Sequence, residues 1–212
     1  MNNNQLNLFG EKGLIIPKTH GIKYAGSKLK IIPYIVSLIN ELKDVKTVLD
    51  GFSGTTRVSQ ALAQLVYQTT AIYLSIWSYV VSNCFLKSSK KDSFYQEIID
   101  HLNTLKGYNG WYTEHYGSDL AAAKRPFQSK NTRKLDAIRD EIENLNLDWA
   151  DKSVLLTSLM FGLDKVDSTL GHYVAYLSEW SARSNKDLFL KLPKRFSKNE
   201  RNHNVIRGDI FK

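Results

Sequence analysis

Between residues 46 and 74 the chain reads as strand, glycine bend, helix and strand, an order that restricts its fold more than any other feature. Lys46–Asp50 is short and β-branched, Gly51–Thr56 is a run of small residues, and Gln68–Leu74 is again strand-like. The intervening Arg57–Leu65 carries helical apolar spacing. Two strands joined through a helix lie parallel, so this is the opening of an α/β sheet. Upstream, Ser27 is placed to cap a helix over Lys28–Leu42, with Ile31, Ile35, Leu38, Ile39 and Leu42 on its apolar positions. A bend of small residues lets backbone amides approach a nucleotide-like ligand at the carboxyl edge of the sheet. The same bend also serves a strand-to-helix turn that holds no ligand.

After about residue 87 the strand signals stop, and a long section to about residue 185 is helical in period or polar and irregular. Thr132–Leu145 places Leu135, Ile138, Ile142 and Leu145 on one face, and Ser153–Val166 is a mostly apolar helix. Tyr108–Gly117, rich in glycine and aromatic residues, suits a structured loop. His203–Ile206 predicts a third strand leading into Arg207-Gly208-Asp209-Ile210-Phe211. With 42% hydrophobic and 11% aromatic residues, the chain has enough apolar surface to fold, which excludes a disordered polypeptide.

The apolar run Ile72–Leu86 is too short and too often interrupted by serine to span a bilayer, so no membrane location is expected. A single cysteine, Cys84, and the absence of a leader pattern at Met1–Gln5 point to a reducing cytoplasm. His20, His101, His115, His172 and His203 have no metal-ligand spacing, and no metal site is expected. The formal charge of +8 favours a polyanionic partner, nucleic acid first, although a merely soluble basic protein carries such an excess too.

Two further stretches turn the glycine bend into a family resemblance. Lys23-Tyr24-Ala25-Gly26-Ser27-Lys28 precedes Asp50-Gly51-Phe52-Ser53-Gly54, and the pair resembles bacterial DNA adenine-N6 methyltransferases in which Tyr-x-Gly-Ser-Lys precedes a Phe-x-Gly-x-Gly cofactor motif. Gly110–Tyr116, Asn131–Asp136 and Asp167–His172 are similar to one branch of that family, so the likeness spans nearly the whole chain. It implies an α/β fold: a partial Rossmann-like S-adenosylmethionine-dependent methyltransferase sheet with a helical target-recognition insertion. Residues 1–22 are then an N-terminal arm, 23–87 and 200–212 the cofactor-binding core, and 88–199 the insertion that reads DNA.

For S-adenosylmethionine the resemblance implies Tyr24 and Lys28 beside the methionine end, with Gly26 and Ser27 in the same segment. A lysine there suits a carboxylate. Asp50, Phe52, Ser53, Gly54 and Thr55 then lie under the cofactor, Tyr73 stands at the ribose, and Asp209 with Ile210 at the adenine, whose amino group Asp209 accepts. For double-stranded DNA, Lys124, Arg125, Lys130 and Arg133 are the expected contacts, each also readable as an ordinary solvated cation.

The sequence departs from the family at the end of its second strand, at Val66, which stands where a glycine is expected before Tyr67, and at the catalytic motif. The second strand of the family ends in Asn-Asp, whose acid accepts from the ribose hydroxyls, and here Ile72 and Tyr73 occupy those positions. The family's catalytic Asp-Pro-Pro-Tyr has no counterpart, because Pro17, Pro33, Pro126 and Pro193 are the only prolines and none are adjacent. No catalytic residue is therefore assigned. The expectation is a site-specific, restriction–modification type adenine methyltransferase in truncated or split form, inactive alone, with weakened cofactor binding and a complementary C-terminal subunit as partner. The alternative is a non-catalytic DNA-binding relic. Gln5-Leu6-Asn7-Leu8-Phe9 also resembles the peptide with which bacterial replication proteins bind the sliding clamp. A cytoplasmic, nucleoid-associated protein is implied.

Overall fold

The computed structural model describes residues 15–65, 67–117, 126–169, 179–196 and 202–212. The clamp-like Gln5–Phe9, Lys124, Arg125 and the 170–172 end of the Asp167 motif lie outside the described residues.

The β-branched stretches form three strands among the described residues: β1 (Thr47–Asp50), β2 (Gln68–Tyr73) and β3 (Asn204–Arg207). They make one parallel sheet in the order β1-β2-β3, with Leu49 opposite Thr70, Asp50 opposite Ala71, Ile72 opposite Ile206 and Tyr73 opposite Arg207. The expected parallel pairing is found, with strand ends moved by a residue. A short 3₁₀ turn (Lys28–Ile31) precedes α1 (Ile32–Glu41), so the predicted Lys28–Leu42 helix is two elements, with Pro33 at the start of the second, where its missing N–H costs nothing. The helix between the first two strands is α2 (Arg57–Gln64).

A helix not foreseen in the sequence, α3 (Ile76–Leu86), follows β2. The run Ile72–Leu86 divides into a strand end and this helix, whose Ser78, Ser82 and Asn83 are buried.

Sheet side chains alternate, and among the described residues helices cover one face. Val48 packs with Ile32, Val36, Val58 and Leu62, and Ala71 packs with Ala63, Leu86 and Val205, which puts α1, α2 and α3 over the face formed by Val48, Thr69, Ala71 and Val205. Right-handed crossovers between sequential parallel strands place successive helices on the same side in this way. The opposite face is open: Leu49 keeps 58% of its surface and Ile206 46%. Parallel sheets normally carry helices on both faces.

The chain divides into two units. The sheet unit comprises residues 15–21, Gly26–Lys87 and the described part of Lys194–Lys212, and the helical unit comprises Ile22–Ala25 and Ser88–Pro193. Residues 15–21, read as part of an arm, are held within the sheet unit: Arg57 donates to the carbonyls of Thr19 and Gly21, and Gln60 exchanges hydrogen bonds with the backbone of His20.

The helical unit is built from α4 (Asp92–Thr104), α5 (Trp111–Tyr116), α6 (Ser129–Asn144) and α7 (Trp149–Leu163) around Ile99, Leu102, Leu135, Ile138, Ile142, Leu155 and Leu159. No strand occurs in it among the described residues. Instead, Asn131 pairs with the backbone of Lys186 and Leu188, and Asn103 with that of Leu190, lacing the extended 186–190 segment onto the helices. The Tyr108–Gly117 stretch, expected as a loop, contains α5. The apolar helix begins at Trp149 instead of Ser153, because the Asp148 carboxylate accepts from the backbone N–H of Asp151 at 2.9 Å and so starts the helix earlier.

Asp151 itself is buried, accepts the Tyr95 hydroxyl at 2.5 Å and pairs with Lys90 at 2.9 Å. Burial pushes its carboxyl up, but the Tyr95 and Lys90 contacts outweigh it and hold the group below the ordinary aspartate range. A depressed folded-state value means that this stabilisation is present above the unfolded value near 3.9 and is lost as pH falls through the lower folded one. Asp151→Asn is therefore expected to cost about 1–3 kcal/mol at neutral pH and to flatten the acid limb of stability. Denaturant unfolding at pH 7 and at pH 3 measures both effects, and an unchanged acid limb would remove Asp151 from the account.

Candidate cofactor site at the sheet edge

The carboxyl ends of the three strands gather most of the residues singled out above. At the end of β1 the chain bends through Gly51–Thr56 into α2, and the bend is tied down at several points. The Ser53 N–H donates to the Ile72 carbonyl at 3.1 Å, and the Ser53 and Ser78 hydroxyls lie 3.3 Å apart. The Thr56 N–H donates to the Ser53 carbonyl at 2.7 Å. Gly54 has φ 49°, a left-handed conformation natural to glycine.

Thr56 is also left-handed, at φ 57°. For a β-branched residue that conformation costs about 1–3 kcal/mol and tends to occur at functional sites. It coincides with the last glycine of the Phe-x-Gly-x-Gly pattern, a position that the sequence reading passed over. The surroundings keep it there: its carbonyl accepts the Gln60 N–H at 2.8 Å, and its hydroxyl donates to the Thr55 carbonyl at 2.7 Å.

Lys28 reaches this bend. Its ammonium donates to the Phe52 carbonyl and lies 3.6 Å from Asp50 Oδ1. Asp50 is buried, and its other oxygen accepts the Ser59 hydroxyl at 2.7 Å. Asp50 thus anchors Lys28 and α2. Ser27 and Gly26 precede Lys28 in the same unit, and Thr55 is buried within the bend.

The other strand ends close in. A Cβ on Gly51 would stand 2.7 Å from Ile210 Cδ1, and the Phe52 and Phe211 rings are 6.0 Å apart, so the loops after β1 and β3 pack together. Tyr73 ends β2, accepts the Gly208 N–H at 3.2 Å and meets Trp77 edge-on at 5.9 Å. Asp209 is exposed on this edge, with Oδ1 accepting the Phe211 N–H at 3.0 Å. Lys28, Phe52, Ser53, Gly54, Tyr73, Asp209 and Ile210 are therefore placed along one edge of one unit. Tyr24 is different: it belongs to the helical unit, where its neighbour Lys23 pairs with Asp167 at 3.0 Å and Asp164 at 3.7 Å.

This edge offers a cation, small-residue backbone and an exposed carboxylate, which suits a zwitterionic nucleoside ligand. What it lacks is a carboxylate at the end of β2. Among the described residues, no group of His, Cys, Asp or Glu side chains is arranged to hold a metal.

Of the expected DNA cations within the described residues, Lys130 donates to the Asn185 carbonyl at 2.7 Å and to Asp187 at 2.5 Å, and Arg133 donates to Asn109 at 2.7 Å, all at the surface of the helical unit. By sequence, residues 1–21, 26–87 and 194–212 hold fourteen of the 29 basic and six of the 21 acidic residues, and 22–25 with 88–193 hold fifteen of each. The whole excess of +8 thus lies in the stretches that include the sheet unit.

A family model for D12 class N6 adenine-specific DNA methyltransferases matches residues 24–206. The chain is similar to the type II methyltransferase M.NlaIII of Neisseria lactamica, 28% identical over 197 residues, which cover 89% of this chain and 58% of the relative. It is also 28% identical over 192 residues to the modification methylase StsI of Streptococcus sanguinis, covering 80% of this chain and 28% of that protein. A further likeness, again 28% over 181 residues, is to the modification methylase LlaI of Lactococcus lactis subsp. lactis, over 78% and 28% of the two chains. The chain thus spans little more than half of the first relative's length. No solved structure matches it significantly.

Proposed function

Because this chain belongs to the D12 class of N6 adenine-specific DNA methyltransferases, we propose that its sheet unit binds S-adenosylmethionine at the carboxyl edge, for methylation of adenine in a specific duplex DNA site. The observation that carries this reading is the pairing of a strained, left-handed bend at Gly54 and Thr56 with the Lys28 ammonium held against it. A Rossmann-like arrangement follows: Lys28 serves the methionine carboxylate, the bend passes beneath the ligand, and Asp209 accepts from the adenine amino group. The cofactor supplies the methyl group when bound, and the residues of this chain hold and orient it. Tyr73 leaves the ribose without a carboxylate acceptor, so binding is weak.

The 212 residues contain no Asp-Pro-Pro-Tyr to hold the target base, and a complementary portion of a methyltransferase supplies it. The open sheet face supports this reading. Leu49 and Ile206 on the sheet, Leu38 on α1 and Leu42 just after it are all exposed, and a doubly wound sheet places further strands and helices beyond its first strand. The basic sheet unit attracts DNA phosphates, and the helical unit, with no net charge, reads the target.

Saturation-transfer NMR with millimolar S-adenosylmethionine tests the cofactor reading. Signals from the methionine and adenine ends are expected, and they should vanish in Lys28→Met for the methionine end alone. No transfer at any cofactor concentration would sink it. The chain alone is expected to methylate no DNA, and turnover by the purified 212 residues would overturn the need for a complementary portion.

A further inference from the structure

Two of the motifs that resemble the family, Gly110–Tyr116 and Asn131–Asp136, are physically one device. Asp136, buried on α6, accepts four hydrogen bonds from the start of α5: the N–H groups of Gly110 at 3.1 Å, Tyr112 at 2.8 Å and Thr113 at 2.9 Å, and the Thr113 hydroxyl at 2.6 Å. Close approach locks the rest. A Cβ on Gly107 would lie 2.7 Å from the Arg133 backbone, one on Gly110 2.7 Å from the Asp136 carboxyl, and one on Gly117 2.5 Å from the Thr113 carbonyl. Tyr108 adds its hydroxyl to Asp140 and its N–H to the Arg133 carbonyl. A two-turn helix of this length is not stable by itself, so α6 is what forms it.

What this scaffold presents is an aromatic ledge. Trp111 is 56% exposed and lies flat on His115, with ring centroids 4.3 Å apart and planes 21° apart, while His115 Nδ1 donates to the Trp111 carbonyl at 2.7 Å. Tyr108 and Tyr116 are exposed beside it. The surface is made of amphipathic rings whose flat faces suit stacking on a base; Glu114 is the acid of α5 itself, and the cations of the same stretch are Arg133, bonded to Asn109, and Lys106, two residues before Tyr108 in sequence. Asp136 and Asp140, the acids of α6 nearest the ledge, are each occupied by donors of the loop itself. In a unit with no net charge, recognition of a polyanion rests on stacking and hydrogen bonds more than on phosphate neutralisation.

We propose that α5 is a preformed DNA-contacting element, in which the Trp111–His115 stack meets a base or sugar face and Asp136 is the positioning residue that holds it. The inference rests on the reading of the helical unit as the part that reads DNA. A stacking side chain contributes about 1–3 kcal/mol per base by alanine replacement, so Trp111→Ala should weaken binding of a fluorescein-labelled, randomised duplex by about five- to hundredfold. Its melting temperature and the slope of affinity against salt should stay those of the parent, since no phosphate contact is removed. Trp111→Phe should recover most of the affinity. Binding by the parent chain with Trp111→Ala equal to it would overturn the proposal and leave the wider reading intact. A change of oligomeric state in Trp111→Ala without loss of DNA affinity would overturn it in favour of a protein partner. If the parent chain itself fails to bind duplex DNA, both readings fall together.

Discussion

Replacing Tyr73 with aspartate is expected to tighten S-adenosylmethionine binding by about ten- to a hundredfold, the gain of one charge-assisted hydrogen bond to a ribose hydroxyl. Tyr73 is the last residue of β2, the central strand; its carbonyl receives the Gly208 N–H from the β3 side, and the preceding Ile72 carbonyl receives the Ser53 N–H from the β1 side, so the end of the strand is held in place. A side chain here projects from the carboxyl edge, where dinucleotide-binding sheets keep an acidic residue for the ribose. Tyrosine offers a hydroxyl at the end of a ring that is packed edge-on against Trp77. Aspartate instead brings two acceptor oxygens close to the strand. Arg207, opposite Tyr73 in the sheet, competes for the new carboxylate, and for that reason the upper end of the range is reached only if the arginine keeps its bond to the Leu74 carbonyl. Titration calorimetry on the parent, Tyr73→Asp and the uncharged Tyr73→Asn should order the affinities Asp above Asn above Tyr. Equal affinities for parent and Tyr73→Asp would mean that the end of β2 does not face the ribose.

The order strand, bend, helix, strand was legible because each signal is local: β-branched residues in Thr47–Asp50 and Gln68–Tyr73, and small residues between them. The missed α3 has no polar face to give it a period, since it is buried along most of its length, serines included. Periodicity detects a boundary with water, and a helix without one is silent. The short α5 escaped for another reason: its start is capped by Asp136, a residue remote in sequence, and nothing within Trp111–Tyr116 announces it.

The candidate site was legible in position but not in the part each residue plays. Composition marks Asp50, Lys130 and Arg133 as charges available to ligands, yet each is engaged with a neighbour brought by the fold: Ser59 and Lys28, Asp187, and Asn109. Charge counted along a chain does not show which partner each group has, and an exposed pair such as Lys130–Asp187 contributes little to stability. Thr56 shows the converse. Its identity suggests nothing, and its left-handed backbone, imposed by the junction between the bend and α2, marks it as the strained point of the site.

Asp136→Ala should destabilise the helical unit by about 2–4 kcal/mol, well beyond an ordinary surface change. The carboxylate is buried and accepts four donors at once, three of them N–H groups at the start of α5 that have no intrahelical partner. Loss of a helix cap alone costs about 0.5–2 kcal/mol, and leaving a buried donor unsatisfied costs about 1–3 kcal/mol. Water reaches some of the freed groups when α5 loosens, so the terms do not simply add. Asp136→Asn separates acceptor geometry from charge, because its single carbonyl oxygen serves some of the donors while its amide turns another donor towards them. An intermediate loss is therefore expected for Asn. The comparison is made by urea unfolding followed by tryptophan fluorescence, with Trp111→Phe as background to remove the signal of the ledge itself. If Asp136→Ala unfolds at the same urea concentration as the parent, the carboxylate is not what holds α5 to α6. The exposed tryptophan would then be a mobile side chain on a loosely attached turn, unable to present a fixed face to a nucleic acid.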